Sequence, residues 1–368
     1  MEKLAHYYLY LQGNMKVIFI TPYPTSVAAS QRFRFEQYYS LLKENQIDFV
    51  VAPFITEKVW SILYKKGFWW KKSFSILLGF VKRYGLLFRI RKYDYVFIHR
   101  EAVPLGPPIW EFIVAKVIGK KIIYDFDDAI WLHNASETNR LFSYLKWYSN
   151  VQYLCRIAYK VSCGNDFLRN FSSQYNNNSV YNPTTIDTEN YHSKIKKSFH
   201  EPIVIGWTGS HSTLKYIDAI IPVLKQLERK YDFTFMVISD VNPNIPLTSF
   251  VFKEWNRDTE IDDLLKIDIG IMPLVDDKWS NGKCGFKALQ YMSLGIPALV
   301  SAVGVNTKIV DDGVSGFVCN TESDWEQYLE KFILEPQLLV ELGKNTRKKI
   351  INDYSVSSNS SNFIHLFS

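Results

Sequence analysis

Short apolar runs alternate along this chain with longer stretches in which apolar residues recur every three or four positions. Continuous apolar runs are typical of buried strands in a parallel sheet, whereas the wider spacing predicts amphipathic helices. Strands are predicted over residues 16–21, 48–53, 93–99 and 121–124, and again over residues 203–207, 233–239 and 267–274. This order predicts an α/β protein with two Rossmann-like domains facing each other across a cleft.

A polar tract separates the two series of predicted strands. Residues 187–201 are rich in Asn, His, Lys and Ser, and they are predicted to link a first domain, residues 15–186, to a second domain, residues 202–353. Residues 1–14 are interpreted as an additional segment, left from an expression vector or from an upstream start. Residues 354–368 form a tail whose apolar residues could cross back to pack on the first domain.

The loop and helix over residues 281–292 are the first candidate site of the second domain. Gly285 stands where the helix is predicted to begin, with Lys283 and Lys287 on either side. Free N–H groups and the positive end of a helix dipole bind anions, so this stretch is a candidate phosphate site. The alternative is an ordinary α/β loop that carries exposed lysines.

A second loop of the same type follows the strand over residues 203–207. Gly209 and Ser210 precede a helix predicted over residues 214–231, with Lys215 in its first turn. A glycine, a Ser or Thr cap and a lysine at a helix start again suit an anion. The two loops together favour phosphate binding by this domain.

Basic residues of the first domain are expected near the strand ends. Arg32 and Arg34 fall in the first turn of a helix predicted to begin near Ser30, where the dipole is unfavourable for cations. His99 and Arg100 end the third predicted strand. An anionic ligand above the strand ends would account for the two arginines of the helix, and surface charge is the alternative.

Three acids, Asp125, Asp127 and Asp128, follow the predicted strand over residues 121–124. Ligands of open α/β sheets bind outside the carboxyl ends of strands. Acids packed there need cationic partners or a chemical role. We interpret them as the polar lining of a site, with Asp127 or Asp128 as a candidate base. No His or further acid has a spacing that supports a metal site.

The net charge of +6 is concentrated in residues 58–92, which contain ten Lys/Arg, nine aromatic residues and no acid. Basic side chains with Trp and Phe at helical spacing favour a helix lying on an anionic membrane surface. The alternatives are a solvated basic face over a buried aromatic core, or nucleic acid, which no recognised motif supports. No apolar run reaches transmembrane length.

The four cysteines show no metal-type pairing, and their scatter fits reduced thiols in a cytosolic protein. No convincing signal peptide precedes residue 15. We therefore expect a cytoplasmic protein, peripheral on the inner face of the cell membrane.

The second domain resembles the GT-B glycosyltransferases, specifically the retaining group numbered family four. The similarity is carried by residues 206–210, 271–274, 286–292, 295–297 and 312–317, which occur in the family order. That family usually has two glutamates eight residues apart. Gly282 and Gln290 stand at the matching positions here, and Asp127 falls about where many relatives have a histidine.

The resemblance implies transfer of a sugar from a nucleotide diphosphate sugar to a glycan or lipid-linked acceptor. It also implies retention of configuration without a metal or other cofactor, in bacterial cell-surface glycan synthesis. Lys283 and Lys287 would stabilise the leaving diphosphate, and Asp127 would be the base. The implied donor-binding residues are Gly209, Ser210, Lys215, Pro273, Lys283, Cys284, Gly285, Phe286, Lys287 and Gln290. The implied acceptor-side residues are Arg32, Arg34, His99, Arg100 and Asp128.

Two other functions stay open from the sequence. A nucleotide-sugar epimerase can share this two-domain architecture and acts without an acceptor. A non-catalytic membrane-bound scaffold would retain the fold without turnover, and the absent glutamates favour it.

Overall fold

A computed structural model describes residues 14–63, 65, 67–132 and 147–368. It divides into two compact units. The first unit ends at Pro183 and also takes in Ser360–Ser368, and the second unit is Thr184–Asn359. Part of a helix predicted over residues 140–159 lies outside the described residues, and the described part forms the helix Asn150–Ile157.

The first unit contains a parallel sheet of six strands, whose four inner strands are apolar runs buried on both faces. In chain order the strands are β1 (Met15–Thr21), β2 (Ile47–Pro53), β3 (Tyr95–His99), β4 (Lys121–Phe126), β5 (Lys160–Cys163) and β6 (Ser179–Tyr181). Their spatial order is β2-β1-β3-β4-β5-β6. The chain therefore reverses direction across the sheet between β1 and β3, where ligands of such sheets commonly bind.

The described α-helices that precede Pro183 in the first unit range in length from four to 17 residues. They are Ala29–Arg32, Tyr39–Glu44, Glu57–Leu63, Trp69–Gly85, Ile109–Phe112, Asn150–Ile157 and Asp166–Ser173. The helix predicted near Ser30 ends at Arg32, so Arg34 lies beyond it rather than in its first turn. Strand β4 is two residues longer than predicted, which places Asp125 inside the sheet.

The end of the predicted tail, Ser360–Ser368, belongs to the first unit, whereas residues 354–359 belong to the second. It forms the helix Ser360–Ile364 and the 3₁₀ turn His365–Phe367. The Phe363 ring stacks on Tyr38 with ring centroids 4.2 Å apart. Phe367 packs edge-on against Phe19 of β1 and Tyr95 of β3. Burial of these aromatic rings fixes the tail.

The second unit contains another six-stranded parallel sheet. Its strands are β7 (Val204–Thr208), β8 (Thr234–Ser239), β9 (Phe250–Glu254), β10 (Ile269–Met272), β11 (Ala298–Ser301) and β12 (Gly316–Cys319). The spatial order is β12-β11-β10-β7-β8-β9. In this sheet the chain reverses its direction across the strands between β7 and β10. The two sheets confirm the predicted pair of Rossmann-like domains.

The α-helices of the second unit pack on both faces of its sheet. They are Ile221–Glu228, Glu260–Leu264, Lys278–Asn281, Phe286–Ser293, Asn306–Ile309, Glu322–Leu334 and Gln337–Lys349. The helix predicted over residues 214–231 is instead a 3₁₀ helix, His211–Ala219, followed by an α-helix that begins at Ile221. Pro222 accounts for the division, because proline is favoured in a first helical turn and disrupts a helix interior.

The tract predicted as a linker, residues 187–201, packs within the second unit. The Lys196 N–H donates to the Leu294 carbonyl at 2.8 Å. The Arg347 guanidinium donates to the carbonyls of Thr188 and His192, each at 2.8 Å. The backbone of the tract is therefore held to the second unit by hydrogen bonds.

Candidate active site

The carboxyl ends of β7 and β10 lie side by side at the reversal point of the second sheet. Gly209 follows β7 directly, and Pro273 follows β10. Pro273 lines a cavity of about 380 Å³ together with Ser301, Thr321 and Trp325. Two donor-binding residues predicted from the sequence thus occupy the part of the fold where α/β sheets bind ligands.

Gly209 and Lys287 are brought into contact there. A Cβ atom added to Gly209 would lie 2.5 Å from the buried Trp207 ring and 2.8 Å from Cε of Lys287. The Lys287 ammonium lies 5.3 Å from the Trp207 ring centroid. The Lys287 side chain therefore passes over the Gly209 backbone, where only glycine leaves room for it.

The helix Phe286–Ser293 begins at this place because Gly285 has a left-handed backbone, with φ of 68°. A Cβ there would lie 2.0 Å from Ile309, so other residues are excluded by both space and conformation. Phe286 and Lys287 form the first turn, and Cys284 just before them is buried. The positive end of this helix and the Lys287 charge together suit an anion.

Lys215 and Lys283 converge on Tyr216. Their ammonium groups lie 5.3 and 5.5 Å from the Tyr216 ring centroid. The Ser280 hydroxyl donates to the Tyr216 hydroxyl at 3.2 Å, which holds the ring. Two lysines 68 positions apart in the chain are thus gathered beside the same loop.

The loop after β7 also contains a hydrogen-bonded pair, His211 and Asp240, that sequence reasoning missed. The Ser210 hydroxyl contacts Ser212 at 2.9 Å rather than capping a helix. The His211 ring contacts Asp240, the residue after β8, at 2.6 Å. Burial alone would raise the pKa of Asp240, but hydrogen bonds from His211 lower it. Asp240 directly follows β8, at the same edge of the sheet as Gly209. That position was the sequence signal that could have identified it.

Gln290 is buried and faces a carboxylate instead of an open surface. Its amide Nε2 lies 3.5 Å from Oε1 of Glu260, which also accepts from Trp255 at 3.2 Å. The Tyr191 hydroxyl donates to Oε2 of Glu260 at 2.8 Å. A glutamate at position 290 would put two carboxylates together, so Glu260 explains why a neutral residue stands there. Gly282 is also buried and ends the short helix Lys278–Asn281.

In the first unit, the structure corrects the expectation for Arg34 and His99. Both side chains are buried and bind Asp125 inside the sheet, so neither lines an open acceptor surface. Arg34 also donates to the Asn182 carbonyl. Burial alone would raise the pKa of Asp125, but Arg34 and His99 hold it well below its usual range. This cluster ties together β3, β4 and the end of β6.

Arg100, Asp127 and Asp128 form a second cluster at the carboxyl edge of β3 and β4. The guanidinium donates to Asp127 at 2.8 Å and to Asp128 at 2.6 Å. Burial alone would lower the pKa of Arg100, but the two carboxylates raise it. All three side chains stay partly exposed. The Arg32 guanidinium lies over the Phe33 ring, 4.9 Å from its centroid.

Neither a metal-binding cluster nor a membrane-spanning helix is found in the part of the chain that the structure describes. Among those residues, no group of three or more His, Cys, Asp and Glu side chains is arranged to hold a metal ion. Within the same residues, no helix is sufficiently long and apolar to cross a membrane.

Comparisons with known proteins agree with this geometry. Residues 189–349 match the model of the family described as Glycosyl transferases group 1. No curated protein sequence matches the chain.

Similar solved structures cover nearly the whole chain. A glycosyltransferase from Rickettsia africae has a TM-score of 0.69 and 12% identity, covering 97% of this chain and 98% of its own. Sucrose-phosphate synthase from Thermosynechococcus elongatus has a TM-score of 0.69 and 11% identity, covering 96% and 98%. Anabaena HepE in complex with UDP-glucose has a TM-score of 0.63 and 13% identity, covering 95% and 98%. Residues 189–349 therefore match a glycosyl transferases group 1 domain, and the chain has the GT-B fold of these solved structures.

Proposed function

We propose that this enzyme transfers a sugar from a nucleotide diphosphate sugar to a glycan or lipid-linked acceptor. The observation that carries the proposal is the contact between Lys287 and the Gly209 backbone at the reversal point of the second sheet. Lys215 and Lys283 add two further cations beside the same loop. The complex of Anabaena HepE with UDP-glucose supports a UDP-sugar or related donor.

The chemistry follows from charge development. When a nucleoside diphosphate leaves, negative charge builds on its phosphate oxygens. The start of the helix Phe286–Ser293, with Lys287 and Lys283, would stabilise that charge in the transition state. We propose that these groups act without a metal ion and that the configuration of the sugar is retained.

We place the acceptor at the carboxyl edge of β3 and β4. Asp127 is the candidate base, and the Arg100 guanidinium fixes the orientation of its carboxylate. Asp128 and Arg100 would bind acceptor hydroxyl or phosphate groups. Arg34 and His99 support this edge from within the sheet through Asp125.

We also propose a setting for the reaction. The basic, aromatic segment 58–92 favours an enzyme that works at an anionic membrane surface, on the inner face of the cell membrane. A membrane-presented acceptor there would suit bacterial cell-surface glycan or polysaccharide synthesis.

A thermal-shift screen of UDP-, GDP- and other nucleotide sugars tests the donor proposal. A ligand that binds the native state alone raises the melting temperature, so at least one donor is expected to do so. Lys287→Ala and Lys215→Ala should each abolish the shift, whereas Lys225→Ala, an exposed lysine on the helix Ile221–Glu228, should keep it. Equal melting-temperature shifts in all three variants would contradict the assignment of Lys287 and Lys215 to phosphate binding. Conversion of the donor alone to an epimer would favour an epimerase instead.

A further inference from the structure

The helix Trp69–Gly85 exposes a continuous apolar stripe. Trp70, Phe74, Leu77 and Val81 are 89%, 60%, 59% and 63% exposed. Their spacing of four, three and four residues places them on one side of the helix, along its length. Exposed apolar residues scattered singly are ordinary, but a contiguous stripe of this length marks an interaction surface.

The opposite side of the same helix is packed on the first unit. Gly79 and Arg83 are buried there. A Cβ atom on Gly79 would lie 2.7 Å from the Phe54 ring, so the helix approaches the protein closely at that point. The helix is therefore held along one side, and the exposed stripe faces directly away from its support.

Charge next to the stripe identifies the kind of surface that would cover it. Lys71 and Lys82 are exposed on the same helix beside the apolar stripe. Arg89, Arg91 and Lys92 follow it and are also exposed, and residues 58–92 contain no acid. Aromatic and aliphatic side chains flanked by cations match the interface of a bilayer that contains anionic lipid.

Arg83 connects the supported side of the helix to the strand ends. Its guanidinium donates to the carbonyls of Ala102 and Ala52, each at 2.9 Å, and of Thr21 at 3.2 Å. Thr21 ends β1, Ala52 lies near the end of β2, and Ala102 is two residues after Arg100. The Trp110 indole in turn donates to the Arg83 carbonyl at 2.7 Å. One buried side chain thus joins the helix to three segments at the proposed acceptor edge.

We propose that the stripe Trp70–Phe74–Leu77–Val81 docks on an anionic lipid bilayer and that Arg83 transmits this docking to the acceptor-side loops. The second part rests on the proposed function, because it takes the carboxyl edge of β3 and β4 as the acceptor site. Docking would lay the helix parallel to the membrane and restrict the loop that contains Arg100. Arg83 is then a positioning residue.

Vesicle co-sedimentation of the full chain tests the docking. Wild type should bind phosphatidylcholine vesicles containing phosphatidylglycerol, bind neutral vesicles much less, and lose binding as salt is raised. The triple variant Trp70→Ser, Phe74→Ser and Val81→Ser should bind about tenfold more weakly or worse, because apolar burial is lost.

A matched control removes exposed apolar residues of the second unit. Val314→Ser, Leu334→Ser and Val340→Ser should leave vesicle binding unchanged. Equal binding by wild type and the stripe variant would overturn the docking. So would a wild type that forms a dimer through the stripe and ignores the vesicles.

Hydrogen–deuterium exchange with the same vesicles tests the transmission. In wild type, vesicles should slow exchange of residues 69–85 and also of residues 100–105. In Arg83→Lys, which keeps the charge but loses the planar donor fork, only residues 69–85 should be protected. If vesicles leave the exchange rate of residues 100–105 unchanged in wild type, the transmission is overturned, even if Arg83→Lys fails to fold. Equal protection of both segments in the variant would overturn it as well. Neither experiment uses the donor, so failure of the glycosyltransferase proposal would appear separately in the donor screen.

Discussion

The close approach of Gly209 to Lys287 makes a sharp prediction for the variant Gly209→Ala. The new methyl carbon would stand 2.5 Å from the Trp207 ring, whereas carbon atoms in contact are about 3.5–4.0 Å apart. Trp207 is buried and cannot yield, so the loop and Lys287 must move by roughly 1 Å. We expect overpacking to lower the free energy of unfolding by roughly 1–3 kcal/mol.

The same movement should weaken donor binding. Backbone N–H groups and the Lys287 ammonium would leave the positions in which they suit a diphosphate. A loss of about 1.4 kcal/mol in binding free energy corresponds to a tenfold weaker Kd, and we expect at least this loss. Titration calorimetry with UDP, or with the donor found in the thermal screen, measures it directly.

Gly85→Ala is the matched control for this variant. Gly85 ends the helix Trp69–Gly85, and a Cβ there meets no atom within 4 Å. This change should leave donor affinity unaltered and keep or slightly raise stability. A Kd for Gly209→Ala equal to that of wild type would show that the loop after β7 does not contact the donor.

Three further predictions concern buried titratable groups. Burial raises the pKa of Glu111 to about 7, so the free energy of unfolding of wild type should fall as pH rises from about 4.5 to 7. In urea unfolding at pH 8, Glu111→Gln should be more stable than wild type by up to about 3 kcal/mol. At pH 4 the two proteins should differ little. Asp125→Asn leaves Arg34 buried without its carboxylate and should cost about 3–5 kcal/mol at pH 7. Because Arg34 and His99 lower the pKa of Asp125 despite its burial, its contribution should be present above pH 3.8 and disappear only in stronger acid. Burial raises the pKa of Cys163 to about 12, so native protein at pH 8 should resist iodoacetamide at this thiol while urea-unfolded protein reacts.

The two sheets, and the position of the loops proposed to bind the donor, could be predicted from the sequence. Apolar runs identify strands, and strands connected by helices must be parallel, so residues after different strands gather at one edge. Gly209, Lys287 and Pro273 could therefore be assigned to one region before their contacts were known. Gly285 was also predictable, because a glycine before an amphipathic helix indicates a special backbone conformation.

Pairings between distant charged residues could not be predicted in the same way. Arg34 and Asp125 are 91 positions apart, and no periodic pattern links them. An arginine or an aspartate considered alone is typical of an exposed position. Asp125 lies inside the sheet only because β4 extends to Phe126. Gln290 likewise has a partner, Glu260, on a different helix. Side-chain packing in three dimensions decides such pairs, and a single sequence does not encode it locally.

The central claim is that the second domain binds a nucleoside diphosphate through its gathered lysines. Calorimetric titration of UDP and GDP into wild type and the double variant Lys215→Ala/Lys287→Ala tests it most directly. Wild type should bind at least one of these nucleotides saturably, at one site per chain. The double variant should lose at least tenfold in affinity, while its melting temperature without ligand stays equal to that of wild type. Binding of equal affinity in both proteins, or none in wild type, would contradict the account.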